Sequence, residues 1–235
     1  MTQSAASFDP IRVGFLLFPD VTQLDLTGPA QVLSRLGHAT IDLVAKTREP
    51  VPTDAGFALL PTASFADAVL PDLLCVPGGL GVNDAIEDAE TLDWVRRAGA
   101  ETQWVTSVCT GSLLLGAAGL LDGYRATCHW AQHHHLARFG AVPVHERWVI
   151  DRNRATGGGV TAGIDFGLAL LAAIRGEAHA RLVQLSLEYD PQPPFDSGSP
   201  DRADAATLAR YRALSAKSAP QRDARTRAAA ERLRG

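Results

Sequence analysis

The residues best suited to chemistry in this chain are Ser107-Val108-Cys109-Thr110-Gly111, where an apolar run from Trp104 to Val108 meets a helical pattern beginning at Gly111. A nucleophile between a strand and a helix, with small residues two positions to either side, has the form of a nucleophile elbow. Ser107 stands here in place of the usual first glycine. The crossing strand and helix leave room only for small neighbours, so the central residue takes a strained backbone conformation and its side chain is pushed clear of the sheet. Cys109 is therefore read as a nucleophile rather than a structural thiol. The dipole and free N–H groups of the following helix are expected to lower its pKa toward neutrality.

A thiol nucleophile needs a partner for its proton. Asp25, in Gln23-Leu24-Asp25-Leu26-Thr27-Gly28-Pro29, follows the first strand-like run and precedes a helical pattern. In a doubly wound sheet the carboxyl ends of the parallel strands converge on one crevice, where Asp25 and Cys109 can meet; an ordinary helix-capping aspartate is the alternative. His129 is a rival partner, since an imidazole beside a thiol is a common way to make a thiolate. Val76-Pro77-Gly78-Gly79-Leu80-Gly81 ends the third strand on the same edge, and its N–H groups can face a developing negative charge. Its spacing matches neither a phosphate loop nor a dinucleotide fingerprint. His129, His133, His134 and His135 invite a metal reading, with His129 and His133 able to share a helix face and Cys128 adjacent. No cysteine pair or H-E-x-x-H pattern accompanies them, so hydrogen-bonding or solvent-facing histidines and no metal are expected.

The elements that must position these residues alternate. Strand-like runs at Ile11 to Phe18, Thr40 to Ala45, Leu73 to Val76 and Trp104 to Val108 are short and apolar, as parallel strands covered on both faces are. Between them lie helical patterns: Gly28-Pro29 opens one through Leu36, Asp88 to Ala98 forms a second, and Gly111 to Leu120 a third. This predicts an α/β fold with a doubly wound, mostly parallel sheet and helices on both faces. Val51 and Phe57 to Leu60 predict a small antiparallel excursion at the edge. Further on come strand-like Ala126 to His129, a helix near Ala131 to Phe139, strands at Val144 to Ile150 and Arg154 to Thr156, and a long helix from Gly163 after the triplet Gly157-Gly158-Gly159. Pro191 to Pro200 reads as a linker, and Ser199-Pro200-Asp201 as a helix start.

With 235 residues, 46% of them hydrophobic, the chain can bury one substantial core. The organisation predicted is a catalytic domain over residues 1–200 and a basic helical tail over 201–235. The tail carries 9 basic and 4 acidic side chains against 13 and 22 in the body. It lacks aromatic interleaving apart from Tyr211, so nucleic-acid binding is not expected, and packing on the acidic body or on a partner subunit is. The polar stretch Met1 to Pro10 has no leader pattern and Val13 to Phe18 is too short to span a bilayer. Three cysteines cannot pair completely, which points to a reducing, cytoplasmic setting with no membrane contact.

Gly14-Phe15-Leu16-Leu17-Phe18-Pro19, the Asp25 segment, Pro77-Gly78-Gly79-x-Gly81 and Thr106-Ser107-Val108-Cys109-Thr110-Gly111-Ser112 together resemble the PfpI/ThiJ-like superfamily, with its class I glutamine amidotransferase-like fold. The likeness continues through Ala126 to Trp130, Pro143 to Arg147, Thr156 to Phe166 and Pro193-Pro194-Phe195, and so covers about Val13 to Asp201. Many members carry Glu where this chain has Asp25. The Asp form resembles the branch that hydrates isocyanides, together with regulators that add an AraC-type DNA-binding domain, for which the tail is too short.

The resemblance implies attack of Cys109 on an isocyanide carbon to give a thioimidate, and hydrolysis of that adduct to an N-substituted formamide, with Asp25 moving protons. Thr110, Gly79, Gly158 and Val160 would support substrate and developing charge, largely through backbone N–H groups. Trp130 or Phe166 would line an apolar pocket. No metal, nucleotide or organic cofactor is implied, and a homodimer is, with the helix after Asp25 near its interface; extension of the basic tail over the partner is a separate expectation. A glyoxalase-like hydrolase of α-oxoaldehydes, or a cysteine-based sensor, is the alternative.

Overall fold

The protein is described by a computed structural model over residues 8–235, so residues 1–7 of the polar N-terminal segment lie outside the described residues. The chain runs β1 (Ile11–Leu16), α1 (Gln23–Leu33), β2 (Ala39–Ala45), β3 (Val51–Pro52), β4 (Ala58–Leu59), β5 (Ala63–Ser64) and β6 (Leu73–Val76). Then follow α2 (Val82–Ala85), α3 (Ala89–Glu101), β7 (Trp104–Val108), α4 (Gly111–Ala117) and β8 (Arg125–Ala126). A 3-10 helix over His133–Phe139 leads to β9 (Val142–Pro143), β10 (Trp148–Asp151), β11 (Arg154–Gly157), α5 (Ala162–Arg175), α6 (Glu177–Ser186), α7 (Ala205–Ala216) and α8 (Ala219–Arg234).

Seven strands form the main sheet in the order β10-β11-β7-β6-β1-β2-β5. Only the β10–β11 pairing is antiparallel. The mostly parallel, doubly wound sheet read from the alternation is therefore the fold. From β1 the chain steps outward to β2 and later returns to β6 on β1's other side. The switch point thus falls between β1 and β6, and the carboxyl ends of β1, β6, β7 and β11 stand side by side there. The antiparallel excursion is the separate β3–β4 ribbon, which pairs Val51 with Leu59.

Side chains alternate across the sheet with period two, as a covered strand requires. Val13, Phe15, Leu73 and Cys75 enter the layer shared with α1, α5 and α6. Leu16, Leu74, Val76 and Val105 enter the opposite layer with α3, α4 and α8. Each fully buried Leu or Phe contributes roughly 1.5–3 kcal/mol, so both layers are held by ordinary hydrophobic burial. Among the described residues, no helix is long and apolar enough to cross a membrane.

Several boundaries differ from the sequence reading. α1 begins at Gln23 and encloses Gly28-Pro29, which had been read as its opening. Pro29 lies inside the helix and packs closely on Gly163 of α5, where a Cβ would stand 3.0 Å from its Cδ. Asp25 consequently sits in the first turn of α1 rather than ahead of it. The long helix after Gly163 breaks at Gly176, whose φ of 89° ends α5 and starts α6. The last linker runs past Ser199-Pro200-Asp201, and α7 starts where the Asp204 carboxylate accepts the Thr207 N–H at 2.9 Å.

Of the two tail helices, α7 has no buried residue, while α8 packs into the body. Thr226, Ala229 and Ala230 of α8 are buried, the two alanines in the main core. Arg225 pairs with Asp84 and, at 3.5 Å, with Glu87; Asp223 accepts from Arg138 at 2.5 Å. The basic charge of the tail thus meets acids of its own body, one of the two packings its charge suggested.

Candidate active site

Cys109 joins β7 to α4 at φ 58°, in the left-handed region that a side-chain-bearing residue avoids. That conformation costs roughly 1–3 kcal/mol, and the surroundings hold it in place. The Cys109 N–H donates to the Gly157 carbonyl at 3.0 Å. Ser112 Oγ donates to the Thr127 carbonyl at 2.7 Å and lies 3.0 Å from Ser107 Oγ, tying the small residues of the elbow together. A Cβ on Gly111 would stand 2.0 Å from the Val76 carbonyl oxygen, so the helix can leave the strand this sharply only with glycine there. Gly111→Ala is expected to destabilise the fold by about 3 kcal/mol or more, read as a lower urea midpoint with an unchanged m-value.

Asp25 is 0% exposed, and its Oδ2 accepts the Gly78 N–H at 3.0 Å. Gly78 is pressed between the two halves of the site: a Cβ there would lie 2.6 Å from Thr110 N and 2.8 Å from Asp25 Oδ2. Asp25 Oδ1 has no partner among the described residues, and the carboxyl faces the Cys109 thiol closely enough for each to shift the other. Burial pushes Asp25 up to about 7. The Gly78 N–H and the Cys109 thiol oppose that rise, and the charge of Asp54 adds to it.

The thiol departs from the sequence expectation. Cys109 is 6% exposed; burial pushes its pKa well above the ordinary range, and the charges of Asp25 and Cys128 push the same way. The Thr110 N–H opposes these effects without overcoming them. α4 has only 7 residues, so its dipole is short, whereas the carboxyl is immediate and both groups are desolvated. Near neutral pH the pair therefore holds a shared proton rather than a free thiolate.

Of the supporting groups, Thr110 and Val160 line the pocket over Cys109. The Gly79 N–H is already donated to Thr110 Oγ1 at 3.0 Å, and the Gly158 N–H to the Arg147 carbonyl at 2.9 Å. Both N–H groups expected to steady the thiolate and developing charge are thus already donated within the chain, and Gly158 borders a neighbouring cleft. The Pro77-Gly78-Gly79 turn acts on Asp25 and Thr110. The backbone group that reaches the sulfur is the Thr110 N–H.

His129 lines the pocket too, but its Nδ1 accepts the Ala131 N–H at 3.2 Å and burial lowers its pKa, which keeps the ring neutral. The shared helix face expected for His129 and His133 does not form, because the helical turn begins only at His133. His133 Nε2 instead lies 2.9 Å from the Val144 carbonyl. His134, His135 and Asp223 bring donor atoms within 4.8 Å of one another. The oxygens of Asp223 are held by Arg138 and Arg227 at 2.5 and 2.6 Å, so that cluster is already charge-compensated by arginine.

The pocket over Cys109 encloses about 260 Å³ and is walled by Leu80, Leu113, Val160, His129 and Tyr211. Phe166, expected here, lies in the core at the start of α5, while Trp130 stands one layer back against Tyr211. Sequence reasoning missed the contribution of the tail: Tyr211 and Ser215 of α7 and Arg222 of α8 all line this pocket. The one available signal was Tyr211, the single aromatic residue among residues 201–235.

Residues 11–173 match the DJ-1/PfpI family. The chain is 52% identical to the isonitrile hydratase of Pseudomonas putida over 223 residues, which span 95% of this chain and 98% of that one. It is 30% identical to the HTH-type transcriptional regulator GbdR of Pseudomonas aeruginosa over 74% of this chain but 48% of the regulator. Among solved structures, a ThiJ/PfpI family protein from Pseudomonas syringae superposes with a TM-score of 0.90 at 44% identity, covering 95% of this chain and 92% of that one.

Proposed function

The chain belongs to the DJ-1/PfpI family, and from that premise we propose that it hydrates isocyanides to N-substituted formamides, with Cys109 as nucleophile and Asp25 as proton carrier. The observation that carries this reading is the 52% identity, over nearly the full length of both chains, to an isonitrile (isocyanide) hydratase. The buried Cys109 and Asp25 pair beneath a small pocket, where Leu80, Val82, Leu113 and Val160 stand among polar groups such as Asp54 and Arg222, supports it.

Catalysis begins from the singly protonated pair. The sulfur attacks the terminal carbon of R–N≡C; an S–C bond forms as one carbon–nitrogen π bond opens. The proton shared with Asp25 passes to that carbon, leaving R–N=CH–S–Cys109. The Thr110 N–H steadies charge on sulfur as it builds and again as it leaves. Water then adds to the same carbon, with Asp25 accepting a proton from it while the nitrogen gains one. The C–S bond breaks, the pair recovers its single proton, and R–NH–CHO departs. The sum is one isocyanide and one water per formamide.

The pocket lies over the strand ends where water can follow substrate in, and no step calls on a group from outside the chain. The alternatives draw no support from the relatives: none of those compared is named as acting on an α-oxoaldehyde, and the regulator is matched over under half its length. The test is formamide formation from a simple alkyl isocyanide, followed in the ultraviolet, with methylglyoxal loss measured alongside. Formamide without methylglyoxal loss is the expected result; methylglyoxal loss alone would overturn the proposal.

The homodimer is part of the same proposal, with α1 near the interface, and its expected readout is a solution mass twice the 24.9 kDa of the chain. A mass of one chain at micromolar concentration would contradict it. Cys75, Cys109 and Cys128 are all buried and unpaired, which suits a reducing compartment, and we place the protein in the cytoplasm on that ground.

A further inference from the structure

Tyr211 stands between two spaces. It lines the pocket of about 260 Å³ over Cys109, and it also lines a separate cleft of about 220 Å³ bordered by Trp130, Pro200, Thr207 and Leu208. Its ring centroid lies 4.9 Å from that of Trp130, and Trp130 stacks at 5.8 Å on His129, another wall of the Cys109 pocket. The three rings form a continuous aromatic screen. α7, which carries Tyr211, has no buried residue of its own. Its C-terminal end is held by Arg222, whose Nη2 donates to the Ser215 carbonyl and hydroxyl at 3.1 and 3.0 Å. The screen is thus set by a clasp between the two tail helices rather than by the core.

We infer that Tyr211 is the specificity-determining residue of the Cys109 pocket, its ring closing that pocket off from the Trp130 cleft and so confining the isocyanide substituent to a compact apolar group. The identity of the substrate rests on the hydratase reading; the partition itself does not. Leu80, Val82, Leu113 and Val160 supply the apolar surface such a group would contact, and the ring of Tyr211 sets how far it can extend. Removing the ring joins the two spaces, and a long alkyl chain gains burial that a compact one cannot use. Discrimination by pocket size of this kind spans about 10–200-fold.

The test compares n-octyl with cyclohexyl isocyanide in wild type, Tyr211→Ala, Tyr211→Leu and Tyr211→Phe, taking the ratio of kcat/KM values. The ratio is expected to rise by about tenfold or more toward the octyl substrate in the Ala variant, to rise less in Leu, and to stay at the wild-type value in Phe, which keeps the ring. Tyr211 is 40% exposed on a helix with no buried residue, and the Leu variant provides the same readout should Ala fail to fold. In parallel, the rates of Cys109 alkylation by iodoacetamide and by N-octyl iodoacetamide, resolved by peptide mass, report the same partition without turnover. A rise in the relative octyl alkylation rate in Tyr211→Ala supports the partition even if no isocyanide is turned over, an outcome that would remove the hydratase reading alone. Unchanged alkylation and turnover ratios in folded Ala and Leu variants would overturn the inference.

Discussion

Cys109→Ala is expected to lower kcat/KM for isocyanide hydration by about four orders of magnitude or more while the protein remains folded. The sulfur is the one protein atom in the proposed sequence that bonds to the substrate carbon, so its loss removes the thioimidate path and leaves no slower version of it. The fold should tolerate the change: alanine meets the φ of 58° with strain similar to that of cysteine, and the vacated space is one sulfur atom. Because the thiol and carboxyl act as a unit, Cys109→Ala combined with Asp25→Asn should be no worse than Cys109→Ala alone. Additive losses in steady-state kinetics would contradict a shared-proton pair.

Asp25→Asn is expected to lower turnover by about 10²–10⁴-fold, the range of a positioned proton carrier, and to change the pH dependence of both rate and stability. Asparagine keeps the shape and can accept the Gly78 N–H, but it cannot exchange a proton with the sulfur. In the wild type the productive pair carries one proton, so kcat/KM should rise as pH passes through about 7, where Asp25 ionises, and fall only where the raised thiol ionises. Asp25→Asn should lose the limb near 7.

The stability effect has the opposite sign to that of a salt-bridged aspartate. Burial raises Asp25 from 3.8 to about 7, so the folded chain binds this proton more tightly than the unfolded one and loses stability as pH rises between those values. Above the window the ionised carboxylate costs up to about 4 kcal/mol, which Asp25→Asn relieves. The variant is therefore expected to melt about 5–10 °C above wild type at pH 8, with little difference at pH 3, by calorimetry. A variant less stable than wild type at pH 8 would show that the carboxylate is better satisfied than its unpartnered Oδ1 indicates.

What the sequence made legible were features encoded within a few residues. The elbow at Cys109 could be read because strand end, small flanks and helix start all fall within Ser107 to Ser112. The placement of Asp25 on the same edge followed from strand alternation alone. Three kinds of feature were not legible. The direction of the thiol shift depends on how deeply both groups are buried and on their mutual charge, neither of which is a property of the elbow. The commitments of the Gly79 and Gly158 N–H groups depend on partners 31 and 11 residues away, Thr110 and Arg147. The tail looked like basic surface helix because α8 buries only small residues, Thr226, Ala229 and Ala230, which leave almost no apolar stripe in the sequence.

The central claim, that the sulfur of Cys109 carries the substrate as a covalent adduct, is tested most directly by rapid acid quenching of the enzyme during turnover, followed by peptide mass mapping. The thiol proton ends on the substrate carbon, so the account predicts a gain equal to the whole mass of the isocyanide, confined to the peptide containing Cys109 and absent from Asp25→Asn or present there at a far lower rate of formation. Formamide production by the wild type with that peptide unmodified throughout, together with full activity in Cys109→Ala, would contradict it.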